Sequence, residues 1–157
     1  MDKPIAVVDT SALVSASTRR RLILAAQENL CKLYWSPWII AELNRVLTIK
    51  WILRHGINKH SQIQLSKASK TMMTWLTTFF DIVDPKPPWP MAWPALSDAD
   101  DLPIYATACR IGAQFVVSEN THDFPPPDPL GRHIWNGIEY VRVQEFWARI
   151  EFEEDET

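Results

Sequence analysis

Short apolar runs that end at polar residues recur along the chain, and they predict the strands of a sheet. The first run, residues 5–8, stops at Asp9. Continuous apolar runs are typical of strands that are buried on both faces of a parallel sheet. On this pattern we expect five strands, at residues 5–8, 32–35, 81–84, 114–118 and 139–143.

Longer segments between these runs carry apolar residues at helical spacing and predict helices. Ser36 and Pro37 form a helix start, with serine as the N-cap and proline at the first helical position, where a missing N–H is harmless. Gly56 and Gly112 mark two helix ends. We expect helices at residues 11–29, 38–54, 58–77, 98–111 and 144–150.

The order of these elements predicts the fold class. Strands alternate with helices over most of the chain, which is typical of a parallel sheet covered on both faces. The expected α/β fold is a three-layer α/β/α sandwich with a central parallel sheet of about five strands. A chain of 157 residues fits one such domain, which we place at residues 1–150.

Composition narrows the class of protein further. No stretch approaches the roughly 20 apolar residues that a membrane-spanning helix needs, and the apolar run near the start is too short for a signal peptide. The two cysteines, Cys31 and Cys109, are too few and too isolated for a disulfide framework or a zinc site. We therefore expect a cytoplasmic protein that does not bind membranes.

Charge is distributed unevenly along the chain. Residues 151–157 carry five acids, and we expect this tail to be disordered; without it 16 basic and 14 acidic side chains remain. Residues 43–80 contain no acid at all. One-sided basic segments suit a phosphate backbone, although a solvated helix face is the simpler alternative. The candidate RNA-binding residues are Arg19, Arg20, Arg45, Lys50 and Arg54.

Acidic residues fall where the carboxyl ends of the predicted strands meet, the edge at which doubly wound sheets bind ligands. Asp9 directly follows the first strand, and Glu42 lies in an apolar part of the helix after the second. Asp98 and Asp101 open the helix after the third strand. Carboxylates gather only where protons or cations neutralise them, and Mg²⁺ or Mn²⁺ is the natural cation. The sequence thus predicts a metal site that activates water for attack on a phosphodiester.

Each of these acids also has a purely structural interpretation. Asp98 suits an N-cap, with Asp101 supporting the first helical turn, and for Asp98 we favour the cap. Asp9 at a strand end could cap the next helix, and Glu42 could pair with Arg45 three residues later. For Asp9, Glu42 and Asp101 we favour metal binding.

Four segments of the chain, taken together, resemble the PIN-domain family, which includes VapC-like toxin ribonucleases and related stand-alone PIN proteins. The segments are 7–11 (VVDTS), 36–43 (SPWIIAEL), 98–108 (DADDLPIYATA) and 112–118 (GAQFVVS). Each motif is weak alone, but their order and spacing agree with the family over essentially the whole chain. The resemblance implies a metal-dependent ribonuclease that uses Mg²⁺ or Mn²⁺.

The resemblance also implies roles for residues at matching positions. Asp9, Glu42 and Asp101 match the three core acids of the family, which hold metal and carry catalysis. Ser11 matches a polar residue that supports the first acid and the metal-bound waters. The other residues to which we give supporting roles are Asp98, Ser118 and Asp123.

One position departs from the family pattern. The family often has a fourth acid just after the fourth strand, where this chain has Asn120. The asparagine amide still offers a neutral oxygen ligand, and Glu119 or Asp123 could reach the site through water. A weaker second metal site is the expected consequence.

Small bacterial and archaeal members of the family are often dimeric toxins that a bound antitoxin inhibits. The resemblance therefore implies an RNA substrate, an antitoxin partner and a homodimer. Two alternatives are an RNA-processing nuclease without an antitoxin and a PIN module that binds RNA or protein without cutting, which Asn120 favours and the intact acids oppose. A nucleotide-binding domain is disfavoured, since the chain has only four glycines and no glycine-rich phosphate loop.

Overall fold

A computed structural model gives the fold. It describes the backbone of residues 2–88 and 101–154 and the side chains of residues 2–88 and 101–150. Within these ranges the strands are β1 (Ile5–Val8), β2 (Lys32–Trp35), β3 (Phe80–Ile82), β4 (Phe115–Val117), β5 (His133–Trp135) and β6 (Ile138–Val141). The α-helices are α1 (Thr10–Val14), α2 (Ala16–Gln27), α3 (Pro37–His55), α4 (Lys59–Phe79), α5 (Leu102–Ile111) and α6 (Val143–Glu154).

The strands form one sheet in the order β3-β2-β1-β4-β6-β5. Five strands run parallel, and β5 pairs antiparallel with β6 at one edge. The chain moves outward from β1 to β2 and β3, and β4 then lies on the other side of β1, so the strand order reverses between β1 and β4. The predicted three-layer α/β/α fold is confirmed. Sheets of this kind bind ligands at the reversal point, here the carboxyl ends of β1 and β4.

The edge strand β5 was not predicted, and it makes the sheet one strand larger than expected. A two-residue turn, Asn136–Gly137, joins β5 to β6, and both residues have positive φ, 52° and 78°. Tight hairpin turns with two positive φ angles favour the Asn-Gly dipeptide. That dipeptide was the available signal, because β5 itself has only three residues and is too short to show a pattern.

The segment predicted as one helix after β1 forms two helices, α1 and α2. Ser15 separates them with extended backbone angles, φ −77° and ψ 131°. The Thr18 hydroxyl donates to the Ala12 carbonyl at 2.8 Å, and Arg19 Nη1 donates to the Leu13 carbonyl at 2.8 Å. These bonds satisfy carbonyls that the end of α1 leaves without helical partners. Apolar spacing continues across Ser15, so the sequence pattern does not reveal the break.

Two other helix boundaries differ from the prediction. Helix α5 begins at Leu102 rather than at residue 98, and Asp101 occupies its N-cap position. Asp98 lies outside the described residues, so its capping role stays a prediction. Helix α6 runs to Glu154, so the backbone of residues 151–154 is helical where we expected disorder. Glutamate is a good helix former, which explains why the helix continues into the acidic segment.

The strands that carry the reversal point rest on a tightly buried core. Val7 of β1 and Val116 of β4 are fully buried neighbours in adjacent strands, and α5 packs against both strands. Trp35 at the end of β2 is also fully buried, with its ring centroid 5.3 Å from that of Phe80 on β3. This packing holds the carboxyl ends of the central strands in place, since well-packed interiors deform little.

Two expectations from composition concern thiols and membranes. Cys31 is buried and Cys109 is half-buried, and both are free thiols. Burial raises the pKa of the Cys31 thiol to about 12, so it stays protonated at neutral pH. In the part of the chain that the structure describes, no helix is long and apolar enough to cross a bilayer.

The start of α3 provides a test of the local sequence rules. Ser36 is fully buried, and its Oγ accepts a hydrogen bond from the Ile39 N–H at 3.3 Å. We expect Ser36→Ala to lower the free energy of unfolding by about 1–2 kcal/mol, because the Ile39 N–H loses its acceptor in a buried setting. Urea unfolding followed by circular dichroism measures the change.

The matched control is Ser66→Ala at an exposed position of α4. This variant should alter the free energy of unfolding by less than about 0.5 kcal/mol. If Ser36→Ala is as stable as the control, the hydroxyl of Ser36 does not cap α3.

Candidate active site

Asp9 lies at the point where the strand order reverses. Its N–H donates to the Val117 carbonyl of β4 at 2.9 Å, so the residue is fixed to both central strands. It is the N-cap of α1, and its Oδ1 accepts the Thr10 N–H at 2.8 Å. Oδ1 of Asp9 therefore caps α1, which is the structural interpretation of this residue. Oδ2 lies toward the end of β4.

Two serines hold the second oxygen of Asp9. The hydroxyls of Ser11 and Ser118 each lie 2.9 Å from Asp9 Oδ2 and donate to it. The same hydroxyls accept backbone N–H groups, with Glu119 N–H donating to Ser11 at 2.9 Å and Asn120 N–H to Ser118 at 3.1 Å. The structure thus brings both predicted supporting serines to Asp9, where they fix the direction of its carboxylate.

Asp101 lies across a small cleft from Asp9. It occupies the N-cap position of α5, but in the described structure its side chain makes no capping hydrogen bond to that helix. Its Oδ2 is buried inside the chain. The cleft is lined by both aspartates and by Ile104, Val116, Ser118, Asp123, Phe124 and Tyr140. Two carboxylates from separate elements therefore share one recess at the carboxyl end of the sheet.

Tyr140 of β6 places a phenol among these acids. Burial raises its pKa far above the usual value, and the negative charges of Asp101 and Asp9 raise it further. The hydroxyl therefore remains neutral and protonated at physiological pH. No sequence pattern marks this residue, because Tyr140 looks like an ordinary member of an apolar strand.

Glu42 is connected to this cleft indirectly. It is an exposed residue of α3, and its Oε2 lies 3.3 Å from the hydroxyl of Thr10. Thr10 is 4% exposed, and its hydroxyl also lies 3.4 Å from the Ile39 carbonyl of α3. Thr10, the residue after Asp9, thus contacts the helix that carries Glu42. Its position inside the predicted motif was the signal for this role.

The three predicted metal ligands do not form one compact set. Among the residues that the structure describes, no three acidic, histidine or cysteine side chains form a group that could hold a metal ion. Asp9 and Asp101 share the cleft, whereas Glu42 is exposed on α3 and lies beside Thr10. The assignment of all three acids to one metal site stays a prediction.

The loop after β4 carries Asn120 and Asp123. Asn120 is exposed and donates through Nδ2 to Asp123 Oδ2. Asp123 itself lines the cleft. The residue at the family's fourth acidic position is therefore coupled to an acid three residues later, which agrees with a supporting role for Asp123.

Glu119 is directed away from the cleft. Its Oε1 accepts the Val143 N–H at the start of α6 at 2.9 Å. Its Oε2 forms an ion pair with Arg142 at 3.0 Å. Of the two acids considered beside Asn120, only Asp123 lines the cleft.

The donor set of this cleft suits Mg²⁺ or Mn²⁺, which take carboxylate and water oxygens. Mg²⁺ usually keeps several waters and is bound through one or two carboxylates. Asp9 and Asp101 supply two carboxylates in one recess. The two serine hydroxyls hold the Asp9 carboxylate in one orientation. Glu42 and the Asn120 amide could add contacts through metal-bound water.

Comparison with known proteins identifies the fold family. The sequence profile of the PIN domain matches residues 6–122, about three quarters of the chain. The chain belongs to the PIN-domain family. The matched region includes Asp9, Glu42 and Asp101, and PIN domains are generally nucleases that use divalent metals.

Solved structures agree with this PIN-domain assignment at the level of the fold. PAE2754 from Pyrobaculum aerophilum is similar with a TM-score of 0.53 and 17% sequence identity, over 95% of this chain and 96% of that chain. An identity this low shows the fold alone. No curated protein matches the sequence.

The predicted RNA-binding residues of this PIN domain fall into two groups. Arg19, Lys50 and Arg54 line a groove between helices α1 to α4, which we call the helical groove. Its lining consists of residues 14–16, 19, 43, 44, 47, 48, 50, 51, 54, 55, 65, 68, 69, 72 and 73. Arg20 and Arg45 are exposed but do not line it. The structure therefore brings three of the five candidates to one surface.

The hydrogen bond from Ser118 to Asp9 provides a test of the PIN-domain site. We expect Ser118→Ala to weaken Mn²⁺ affinity roughly 10–100-fold, as is typical when a partner of a metal-binding carboxylate is removed. Isothermal titration calorimetry measures the affinity, with Ser66→Ala as the control. Unchanged Mn²⁺ binding in Ser118→Ala would show that Asp9 does not depend on this hydroxyl.

Proposed function

We propose that this PIN domain is a divalent-metal-dependent endoribonuclease that hydrolyses RNA phosphodiesters. One observation carries the proposal: Asp9 and Asp101 line the same cleft at the reversal point of the sheet. Two adjacent carboxylates repel each other unless a proton or cation neutralises them. Membership of a family of nucleases supports the choice of a metal ion and a phosphodiester substrate.

Asp9 and Asp101 would hold the ion, with Glu42 and Asn120 in reach through water. When bound, Mg²⁺ or Mn²⁺ supplies an activated water and stabilises the charge that develops on the phosphodiester. Asp9 keeps a fixed orientation because both serine hydroxyls and the Thr10 N–H bind its two oxygens. Such preorganisation reduces the reorganisation that the reaction requires.

The walls of the cleft have a separate part in the proposal. Ile104 and Phe124 are buried apolar residues that line it beside the carboxylates. Apolar walls lower the local dielectric constant, which strengthens electrostatic interactions in the recess. Tyr140 keeps its proton, so it adds a neutral hydroxyl and no further negative charge.

We further propose that the ribonuclease is the toxin of a toxin–antitoxin pair, acting in the cytoplasm as a homodimer. Support comes from the family to which the chain belongs. Growth arrest on expression distinguishes a toxin from an RNA-processing enzyme, which cuts RNA without arresting growth.

A catalytically weak or inactive PIN module that binds RNA or protein is the second candidate. Asn120 in place of an acid favours it, because an amide carries no negative charge to attract a second ion. Glu119 also favours the binding module. Its carboxylate pairs with Arg142 and accepts the Val143 N–H of α6, so it does not substitute for the missing acid.

Cleavage of a fluorescent RNA separates the two candidates. We expect the wild-type protein to cut the RNA with Mn²⁺ and to lose activity in EDTA. Asp9→Asn and Asp101→Asn should each reduce the rate roughly 100-fold or more, because each removes a charged metal ligand. Asp81→Asn, at an exposed position of β3, is the matched control and should retain the wild-type rate.

The opposite results are equally informative. A wild-type protein that binds the RNA but does not cut it with any divalent metal is a binding module. Cleavage that survives in both Asp9→Asn and Asp101→Asn would exclude the cleft as the active site. Growth arrest that is lost in Asp9→Asn would support the toxin assignment.

A further inference from the structure

We propose that the helical groove binds the single-stranded RNA that flanks the scissile bond. The identity of the ligand as RNA rests on the proposed function. The groove itself is an independent feature of the structure, and it lies on the helices rather than in the carboxylate cleft. Its size, charge and position carry the inference.

The helical groove has the size and lining of a ligand site. Its volume is about 550 Å³, within the range of roughly 300–1,000 Å³ that is usual for ligand pockets. A hydrogen bond of 3.0 Å from the Ser69 hydroxyl to Asn44 Oδ1 joins α4 to α3 across it. The apolar part of the lining is formed by Leu43, Leu47, Trp51, Met72 and Met73.

The charge of the groove has one sign. Arg19, Lys50 and Arg54 line it together with His55, and no aspartate or glutamate does. Within the described parts of the chain, none of the three cations forms an ion pair. Ordinary solvated helices mix both signs, so an unbalanced row of cations indicates a polyanionic ligand.

Arg19 is held in place at one wall of the groove. Its Nη1 donates to the Leu13 carbonyl at 2.8 Å and the Val14 carbonyl at 3.5 Å, at the end of α1. Burial lowers the pKa of Arg19, and repulsion from Arg20 lowers it further, yet a guanidinium keeps its charge in proteins. The rest of its planar fork can bind a phosphate, whose geometry it matches.

The groove begins beside Glu42, one of the acids predicted to bind metal. Leu43 and Asn44 line the groove and directly follow Glu42, and Val14 lies at the other end of the short helix that Asp9 caps. Along α3, Lys50 and Arg54 lie about 12 Å and 18 Å from Glu42. The cations therefore lead away from Glu42 along α3, as the contacts of an RNA strand that extends beyond the active site would.

The apolar lining distinguishes single-stranded RNA from other polyanions. Unstacked bases bury their faces against aromatic and apolar side chains, whereas a duplex keeps its bases paired and stacked. Trp51 and the two methionines provide such surfaces beside the cations. A peptide made only of acidic residues would contact the cations but has no apolar side chains to bury against this lining.

The test is the binding of a fluorescein-labelled uridine dodecamer, measured by fluorescence anisotropy in EDTA so that no cleavage occurs. We expect Lys50→Ala/Arg54→Ala to bind at least about tenfold more weakly than the wild type. The slope of log Kd against log salt should fall by about 1.4, the value for two lost phosphate contacts with a single strand. Circular dichroism verifies that the variant is folded.

The control variant is Lys67→Ala/Lys70→Ala, which removes the same charge from exposed positions of α4 outside the groove. It should bind the RNA within about twofold of wild type, because Lys67 and Lys70 do not line the groove. A loss as large as that of the groove variant would show nonspecific attraction to total charge and would overturn the proposal. Equal binding by the groove variant and the wild type would overturn the proposal. So would competition by a glutamate dodecapeptide as strong as that by the RNA, which would identify the groove as a site for acidic protein segments.

This experiment is separable from the test of cleavage. Binding of the uridine dodecamer is measured in EDTA, so it does not depend on a metal ion held by Asp9 and Asp101. Groove-dependent binding without cleavage would retain the groove and reject the ribonuclease. Cleavage by a protein whose RNA binding does not depend on Lys50 and Arg54 would retain the ribonuclease and reject the groove.

Discussion

The attachment of Asp9 to the two central strands is the constraint on which the site depends. Its N–H binds the carbonyl of Val117 on β4, and its carboxylate receives hydrogen bonds from Ser11 on α1 and Ser118 just after β4. One residue thus links the end of β1, the start of α1 and the loop after β4. Any shift in the spacing of the central strands would alter the direction of this carboxylate, and the buried valines of both strands oppose such a shift.

The charge distribution follows from the same arrangement. The end of the sheet gathers Asp9, Asp101 and Asp123 around one cleft. The helical groove carries cations that form no ion pair within the described residues. Negative charge at the centre requires a cation, and positive charge around it attracts a polyanion. The two requirements are met together when an RNA phosphate approaches a metal ion at the cleft. In this account the acids and the basic surface therefore bind the same RNA substrate, the acids through a metal ion and the cations directly.

Much of the fold was predictable because its signals are local. The apolar runs locate five strands, and Ser36 with Pro37 locates the start of α3. The break at Ser15 escaped prediction because the hydrogen bonds that stabilise it run from α2 to α1, beyond any periodic pattern. The position of Tyr140 beside Asp101 also depends on strand order, since 39 residues separate them in sequence. The positions of the motifs identified the candidate acids, but only the tertiary structure shows that Asp9 and Asp101 line one cleft.

The most direct test of the account is the position of Mn²⁺ in crystals of the wild-type protein, located by its anomalous scattering. The account predicts a peak in contact with the carboxylates of both Asp9 and Asp101, and no such peak in crystals of Asp101→Asn. A peak that contacts neither aspartate, or the absence of any peak at saturating Mn²⁺, would contradict the claim that this cleft is a metal-dependent active site.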